Sequence, residues 1–458
     1  MKLSSYLPTV WLAMLLVPTA TAIDLDIQSD DSLRDAASTA AWGMMHYYKG
    51  NESGQTPGKL DGTWWEAGIM FMHMIEYWRV TDDDTYNAAS TQGMVHQSGD
   101  KHDYMPDNAT SWLGNDDQMF WGLAAITAAE MQFPDPKGGP SWLSLAQAVY
   151  NTQIARWDMG NCGGGLRWQM WNWLPGWELK NSVSNGGLFH LAARLAMYTD
   201  DKRYKDWAIK IWDWSASTPL LNDQTWHVAD TVSIDSQCKE SGNEQWTYNY
   251  GHYMTGAAYL YNLTNGDEKW LKRVNGLLDY GLKQFYPLKY DGFNPNGQTM
   301  VEVYCEKVGT CDNNMKTYKS LYTTWLAFVT QIVPSTAERI IPKLESTAQA
   351  AARSCTGPNN ACGQRWYKDK YDGSTGMEQQ MSALGAFLSN LIVRSNKPPV
   401  SAKTGGDSKS DPNAGSDSEK GGKRKLAPIT TGDKAGAAVL TIIVGGAWIG
   451  LVAWLFIG

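Results

Sequence analysis

Twelve apolar stretches at helical spacing, joined in pairs by a repeated connector, restrict this chain more than any other feature. They fall near 31–49, 63–80, 84–97, 116–132, 141–157, 181–199, 203–216, 246–263, 267–285, 316–332, 335–352 and 376–394, and strand-like alternation is scarce. The connectors are alike: Tyr77-Trp-Arg-Val-Thr81-Asp82-Asp83-Asp84, Tyr198-Thr199-Asp200-Asp201 and Tyr261-Asn-Leu-Thr264-Asn265-Gly266-Asp267. In each, Thr and Asp supply turn and cap chemistry, and an aromatic seats the next helix. The helix before a connector is rich in Gly, Ala and Met, which suits burial on all sides. The helix after it carries a charged face and one apolar stripe, as in Lys202-Arg-Tyr-Lys-Asp-Trp-Ala-Ile-Lys-Ile-Trp. Six inner and six outer helices in alternation predict an all-α fold, an (α/α)6 barrel. An open superhelix of helix pairs is the second choice, because solenoids show shorter and stricter repeats.

The two ends of the chain read as processing segments. Lys2 and the short apolar run Val10–Val17, followed by Ala20-Thr21-Ala22, predict a signal peptide over 1–22. The barrel domain is expected over 23–396. Residues 397–434 are rich in Ser, Gly, Lys, Asp and Pro, and so are expected to be a disordered linker. The apolar tail 435–458 lacks a following basic cluster and predicts a GPI-attachment signal, with candidate attachment sites at Asn413-Ala414-Gly415 and Gly421-Gly422. A transmembrane helix is the alternative. In an oxidising compartment the six cysteines are expected to pair. Fifteen pairings are possible; Cys305/Cys311 and Cys355/Cys362 are close in sequence, which would leave Cys162 with Cys238. Asn51, Asn108 and Asn262 head N-glycosylation triplets. A net charge of −8 with no basic stripe argues against nucleic acid as a partner.

Asp116-Asp117 opens one of the inner helices, after the turn-like Leu113-Gly114-Asn115. Most such pairs are caps in the favourable field of the helix N-terminus. Here other helix starts should converge with it at one barrel mouth: Trp64-Trp65-Glu66, Asn181 to Asn185, Trp246 to Tyr250, Lys316 to Lys319 and Glu378-Gln379-Gln380. That set is dense in rings and amides, which stack on sugars and bind their hydroxyls. The chain holds 23 Trp and 22 Tyr against nine Phe, a bias toward rings with a polar edge. Two adjacent carboxyls can divide the labour of a retaining glycosidase, because repulsion raises the pKa of one of them.

At Asn115-Asp116-Asp117, at Gly163-Gly-Gly-Leu-Arg-Trp168 through Asn185, and at Thr247-Tyr248-Asn249-Tyr250-Gly251, the chain resembles glycoside hydrolase family 76, the endo-α-1,6-mannanases. It is most similar to the fungal, GPI-anchored cell-wall branch, over nearly all of residues 30–395. The resemblance implies a glycosidase or transglycosylase acting on α-1,6-mannosyl linkages, with Asp116 as nucleophile and Asp117 as acid/base. It implies a GPI-core mannan donor, a wall β-glucan acceptor, and a monomer on the cell surface. Trp65, Asn115, Trp168, Asn181, Asn185, Asp230, Tyr248 and Asn249 are the expected sugar-binding residues. Thr231 stands where the family has Gly after Asp230, and Tyr250 where relatives often carry Gln, which is expected to alter one subsite. No cofactor and no metal are expected: the seven His are scattered, without ligand spacing. Glu66 and Glu378 are rival carboxylates at the same mouth. Plain hydrolysis and non-catalytic mannan binding are the competing functions, and loss of one Asp would mark the latter. A lyase would call for Arg, Lys, Tyr or His around a uronic acid.

Overall fold

A computed structural model describes residues 23–60, 63–293, 295–417 and 430–457. The expected signal peptide and the candidate attachment site Gly421-Gly422 lie outside the described residues.

All twelve helical stretches are present. The inner helices are α2 (Trp64–Thr81), α4 (Asn115–Glu130), α6 (Ser182–Thr199), α8 (Thr247–Leu263), α10 (Asn313–Ile332) and α12 (Met377–Arg394). Each packs on the next, and α12 returns to α2, so the ring closes and the open superhelix is excluded. The outer helices α3 (Asn87–Gln97), α5 (Trp142–Ala155), α7 (Lys202–Ala216), α9 (Glu268–Phe285) and α11 (Ala337–Ser354) each cover the inner helix before them, and α1 (Asp30–Met45) covers α12. Small residues set the close approach: a Cβ at Gly187 would stand 2.4 Å from Met119, and one at Gly251 2.4 Å from Trp325.

The sequence repeat is also a hydrogen-bond repeat. The hydroxyls of Thr81, Thr199 and Thr264 each donate to the carbonyl four residues earlier. Asp82 and Asp200 take the left-handed conformation that ends the inner helix. Asp201 and Asp267 then cap the following helices, accepting from Arg203 and Lys269 N–H at 2.8 Å. These acidic runs are turn and cap residues.

Three disulfides form, Cys162–Cys238, Cys305–Cys311 and Cys355–Cys362. Asn51, Asn108 and Asn262 are exposed. The sparse strand content is a two-stranded antiparallel ladder, β1 (Leu179–Asn181) with β2 (Thr231–Ser233), placed at the barrel mouth with Asn181 opposite Thr231.

One expectation fails. Residues 397–417 are not a free linker but a strap bound to the barrel. Val400 and Ala402 N–H donate to the carbonyls of Glu130 and Tyr198, at the C-terminal ends of α4 and α6. Lys397 pairs with Asp82 at 2.7 Å, Ser408 donates to Asp135 at 2.8 Å, and Asp411 N–H donates to Gln147 at 2.7 Å. Asn151 holds the carbonyl of Ala414 at 2.8 Å. A polar segment cannot build its own core, but it can satisfy its backbone on helix ends that already need partners. Ending the chain at 396 instead of 417 should therefore lower unfolding free energy by about 1–3 kcal/mol, net of the entropy of ordering the strap. Urea denaturation of the two lengths checks this, and equal midpoints would contradict it.

The second unit is described by itself. Its helix α13 runs Thr431–Ile457, with Leu440, Ile442, Ile443 and Trp448 exposed.

Candidate active site

The N-termini of five inner helices, α2, α4, α6, α8 and α10, meet at a cleft of about 470 Å³. Gly114 caps α4 in an extended conformation, which places Asp116 and Asp117 in the first turn, facing the opening. Gly114 N–H donates to Asp117 Oδ2 at 2.7 Å, and Asp117 N–H donates to Asp116 Oδ1 at 3.0 Å. A Cβ at Gly114 would lie 2.3 Å from Asp116 Oδ1 and 3.1 Å from Asp117 Oδ2. Those two oxygens therefore flank a single point beside the Gly114 backbone, and neither can be farther from the other than the two distances laid end to end. Glycine at 114 is required because any side chain would displace this pair.

Burial pushes the Asp116 carboxyl well above the ordinary carboxylate range, and the neighbouring Asp117 charge adds to the rise. Its hydrogen bonds, including one from the Trp168 side chain, oppose it. Asp117 is pushed up to about 6 by burial, against the pull of Gly114 N–H. Both carboxyls are thus biased toward keeping a proton, and the repulsion between them opposes ionising both, the bias that acid/base chemistry at a glycosidic bond needs.

Aromatic rings wall the cleft. Trp65 packs on Phe120 at 4.6 Å and donates its indole N–H to Asn314 at 3.0 Å. Tyr248 and Tyr318 stack at 3.9 Å. Trp168 and Gln169 come from the strand-like segment before β1, where Trp168 carbonyl accepts Asn115 N–H at 2.8 Å. The preceding Gly-rich turn is held by Lys180, whose buried ammonium donates to the carbonyls of Asp158, Asn161 and Gly164 and pairs with the Asp158 carboxylate. Gly164 and Gly165 sit at positive φ, and a Cβ on Gly165 would strike Trp214 at 2.3 Å.

The sequence-predicted residues divide into two groups. Trp65, Asp116, Asp117, Trp168, Asn181, Asp230 and Tyr248 line the cleft together. Asn115, Asn185 and Asn249 do not; each is buried and holds a neighbour. Asn115 bridges Arg156 and the Arg167 carbonyl, Asn185 clasps both backbone groups of Leu166, and Asn249 donates to Asp230 at 2.9 Å. Burial raises Asp230 to about 6, and the Asn249 hydrogen bond opposes that rise. Tyr250, expected to alter a subsite, stacks on Tyr280 away from the cleft and donates to Gln245. Glu66 is enclosed beside Thr63, raised to about 8 by burial, and does not line the cleft. Glu378 is likewise absent from the lining.

Gln169, Glu244, Asp312 and Asn314 line the cleft beyond the expected set. Asp312 and Asn314 carry a signal, since Asp312 caps α10 through Met315 N–H. A helix start placed at 316 hides them. Glu244 sits in an irregular loop before α8, and no local pattern marks it. Among the described residues, no group of His, Cys, Asp and Glu could hold a metal ion.

Comparison with known proteins agrees with this architecture. A mannan endo-1,6-alpha-mannosidase of Saccharomyces cerevisiae, DCW1, is 41% identical over 95% of both chains. A mannan endo-1,6-alpha-mannosidase of Candida albicans, DFG5, is 38% identical over 98% of both. The crystal structure of Dfg5 from Chaetomium thermophilum in complex with glucosamine superposes with a TM-score of 0.80 at 40% identity, covering 85% of this chain and 97% of that one. An inactive variant of an α-1,6-mannanase from Salegentibacter sp., in complex with α-1,6-mannotriose, shares the fold at 15% identity and a TM-score of 0.62, over 79% of this chain and 99% of that one. The family pattern matches residues 32–403, so this chain is a glycoside hydrolase and belongs to glycosyl hydrolase family 76.

Proposed function

We propose that this protein cleaves α-1,6-mannosyl linkages by a retaining double displacement and passes the released glycosyl group to a sugar acceptor. The observation that carries this reading is the pair of carboxylate oxygens standing 2.3 Å and 3.1 Å from one point at the floor of an aromatic cleft. Those two distances keep the oxygens closer than the about 6.5–9.5 Å that inverting enzymes need to admit a water, which leaves the retaining arrangement. The names of the yeast relatives supply the sugar.

Asp116 attacks the anomeric carbon while Asp117 gives its proton to the departing oxygen, leaving a glycosyl ester on Asp116. Asp117 then takes a proton from an incoming hydroxyl, which displaces Asp116 with net retention. Burial raises both carboxyls, and the charge of Asp117 adds to the rise at Asp116, so the pair resists losing both protons and keeps one to give to the departing oxygen.

An acceptor sugar can stack where water cannot, and Trp65, Trp168, Trp246 and the Tyr248–Tyr318 pair offer such faces. This favours transfer over hydrolysis, with GPI-core mannan as donor and wall β-glucan as acceptor. The signal-like segment 1–22 and the apolar C-terminal helix support a place at the cell surface, tethered through a lipid anchor. A donor carrying an amino sugar is favoured by a separate observation. Asp230, Glu244 and Asp312 line the same cleft and would accept an ammonium group, and the Chaetomium relative is a complex with glucosamine.

The test is the protein with an α-1,6-mannooligosaccharide, with and without a β-1,3-glucan oligosaccharide, read by mass spectrometry. Hybrid products support transfer, shortened mannan alone means hydrolysis, and binding without turnover would overturn both. The pH profile gives a further check. Activity needs one carboxylate ionised and the other protonated, so kcat/KM should rise as pH climbs through about 6, the Asp117 value, and fall when the second proton leaves. Rates that only decline from pH 4 upward would contradict the assignment.

A further inference from the structure

Behind the aromatic wall lies a buried charge cluster that the mechanism does not use. Glu302, Glu306 and Lys319 are all enclosed. Lys319 pairs with Glu306 at 2.7 Å, donates to Gln364 carbonyl at 2.6 Å and lies over the Trp366 ring at 3.7 Å. Glu306 also accepts the Glu302 N–H at 3.2 Å. The Glu302 carboxyl meets the start of α8: its Oε2 accepts Thr247 N–H at 3.4 Å, and its Oε1 accepts the Thr247 hydroxyl.

The place of these bonds gives the cluster a task. Trp246, before α8, makes no side-chain cap, and Thr247 carries one of the N–H groups that a helix start leaves unpaired. Glu302 supplies the missing cap from 55 residues away. Tyr248 follows Thr247 on α8, and Lys319 follows Tyr318 on α10. The clasp Thr247–Glu302–Glu306–Lys319 therefore joins the two helices right beside the Tyr248–Tyr318 stack. The same loop reaches the cleft through Tyr304, which meets Trp246 at 5.4 Å and donates to Glu244 at 3.3 Å. Trp246, Tyr248, Tyr318 and Glu244 line the cleft, whereas Glu302 does not.

We propose that Glu302 is a positioning residue for sugar binding, which acts through Thr247 to set where Trp246 and the Tyr248–Tyr318 stack stand. This rests on the mannan reading of the cleft. The clasp holds rings of α8 and α10, while the reacting carboxyls belong to α4 and are held by Gly114. It therefore governs the fit of the sugar and leaves the bond-breaking step alone. Burial pushes Glu302 up to about 8, and the Glu306 charge adds to the rise, so near neutral pH the clasp is a neutral acid. A glutamine offers the same two contacts, a carbonyl for Thr247 N–H and an amide N–H for its hydroxyl oxygen.

The experiment measures kcat and KM of the full chain on α-1,6-mannohexaose for E302A, E302Q and T247V. E302A and T247V should raise KM roughly tenfold and change kcat by less than about twofold, the pattern of lost uniform binding. E302Q should keep the KM of the parent protein. T247V removes only the hydroxyl, so it tests the clasp even where E302A does not fold. A lowered denaturation midpoint with unchanged KM in the folded variants would mean a merely structural role and overturn the proposal. A loss confined to kcat, or E302Q as damaging as E302A, also overturns it. If the parent protein neither binds nor cleaves mannohexaose, the mannan reading fails, and near-UV circular dichroism decides the clasp by itself. An aromatic band altered by T247V and kept in E302Q supports ring positioning, and an unaltered band in T247V overturns it.

Discussion

Asp116→Asn and Asp117→Asn should each lower kcat on α-1,6-mannooligosaccharides by at least about 10⁴-fold, and the double variant should lose little more. The two carboxyls act as one unit, so removing either removes the shared proton or its acceptor. The single variants are told apart by chemistry. With azide present, Asp117→Ala should recover turnover on a substrate with a good leaving group and give a glycosyl azide of retained configuration. Asp116→Ala should instead give the inverted azide, because azide then attacks directly. Nuclear magnetic resonance of the product reads the configuration, and the reverse pattern would exchange the two roles.

The same substitutions should stabilise the fold. Asp117 is raised from its ordinary 3.8 to about 6, so the folded state keeps a proton that the unfolded chain releases over that interval. Ionising it costs the native state as pH rises. The advantage of Asp117→Asn should thus be absent near pH 3 and complete above about 6, at no more than about 3 kcal/mol. Thermal unfolding of the variant across that range checks the sign. A site that stores this cost is giving up stability for activity.

The second large effect concerns Cys162–Cys238. This disulfide spans 76 residues and ties the Gly-rich turn to the segment just after β2. Replacing both cysteines by Ser should cost about 4 kcal/mol through the freed entropy of the unfolded loop. The six-residue and seven-residue spans of Cys305–Cys311 and Cys355–Cys362 close shorter loops and should cost less. The loss should not be confined to stability. Cys162 carbonyl accepts the Trp214 indole N–H, and Trp214 packs against Gly165 in the turn that leads to Trp168. Catalytic efficiency should therefore fall even where the double Ser variant is still folded. Denaturation midpoints and kcat/KM measured below the transition separate the two effects.

The legible part of this protein was the part governed by near neighbours in sequence. The 3.6-residue period marks a helix before any packing is known, and the Thr-Asp connectors carry their cap chemistry locally, which is why Thr81, Thr199 and Thr264 bond alike. The contrast between Gly-rich and charged helices separates inner from outer, and that alternation implies a double ring. Asp116-Asp117 stands at a helix start for the same local reason, and helix starts of a ring converge. So the fold, the carboxylate pair and much of the aromatic wall could be read before the structure.

Tertiary structure decided whatever depends on which way a side chain turns, or on a partner far along the chain. Asn115, Asn185 and Asn249 share residue type and helix-start placement with Asn181, yet only Asn181 reaches the cleft. The other three satisfy buried backbone or carboxylate groups, a demand that sequence spacing does not express. Glu244 enters the cleft from an irregular loop, where no period fixes direction. The strap 397–417 looks unable to fold because its composition has no core of its own. It is ordered by carbonyls and side chains of helices that lie far earlier in the chain, such as Glu130 at the end of α4 and Gln147 in α5. Sequence determined the helices and their order, since those are set by local spacing; the ring's closure determined which polar groups face the sugar and which hold the wall behind it.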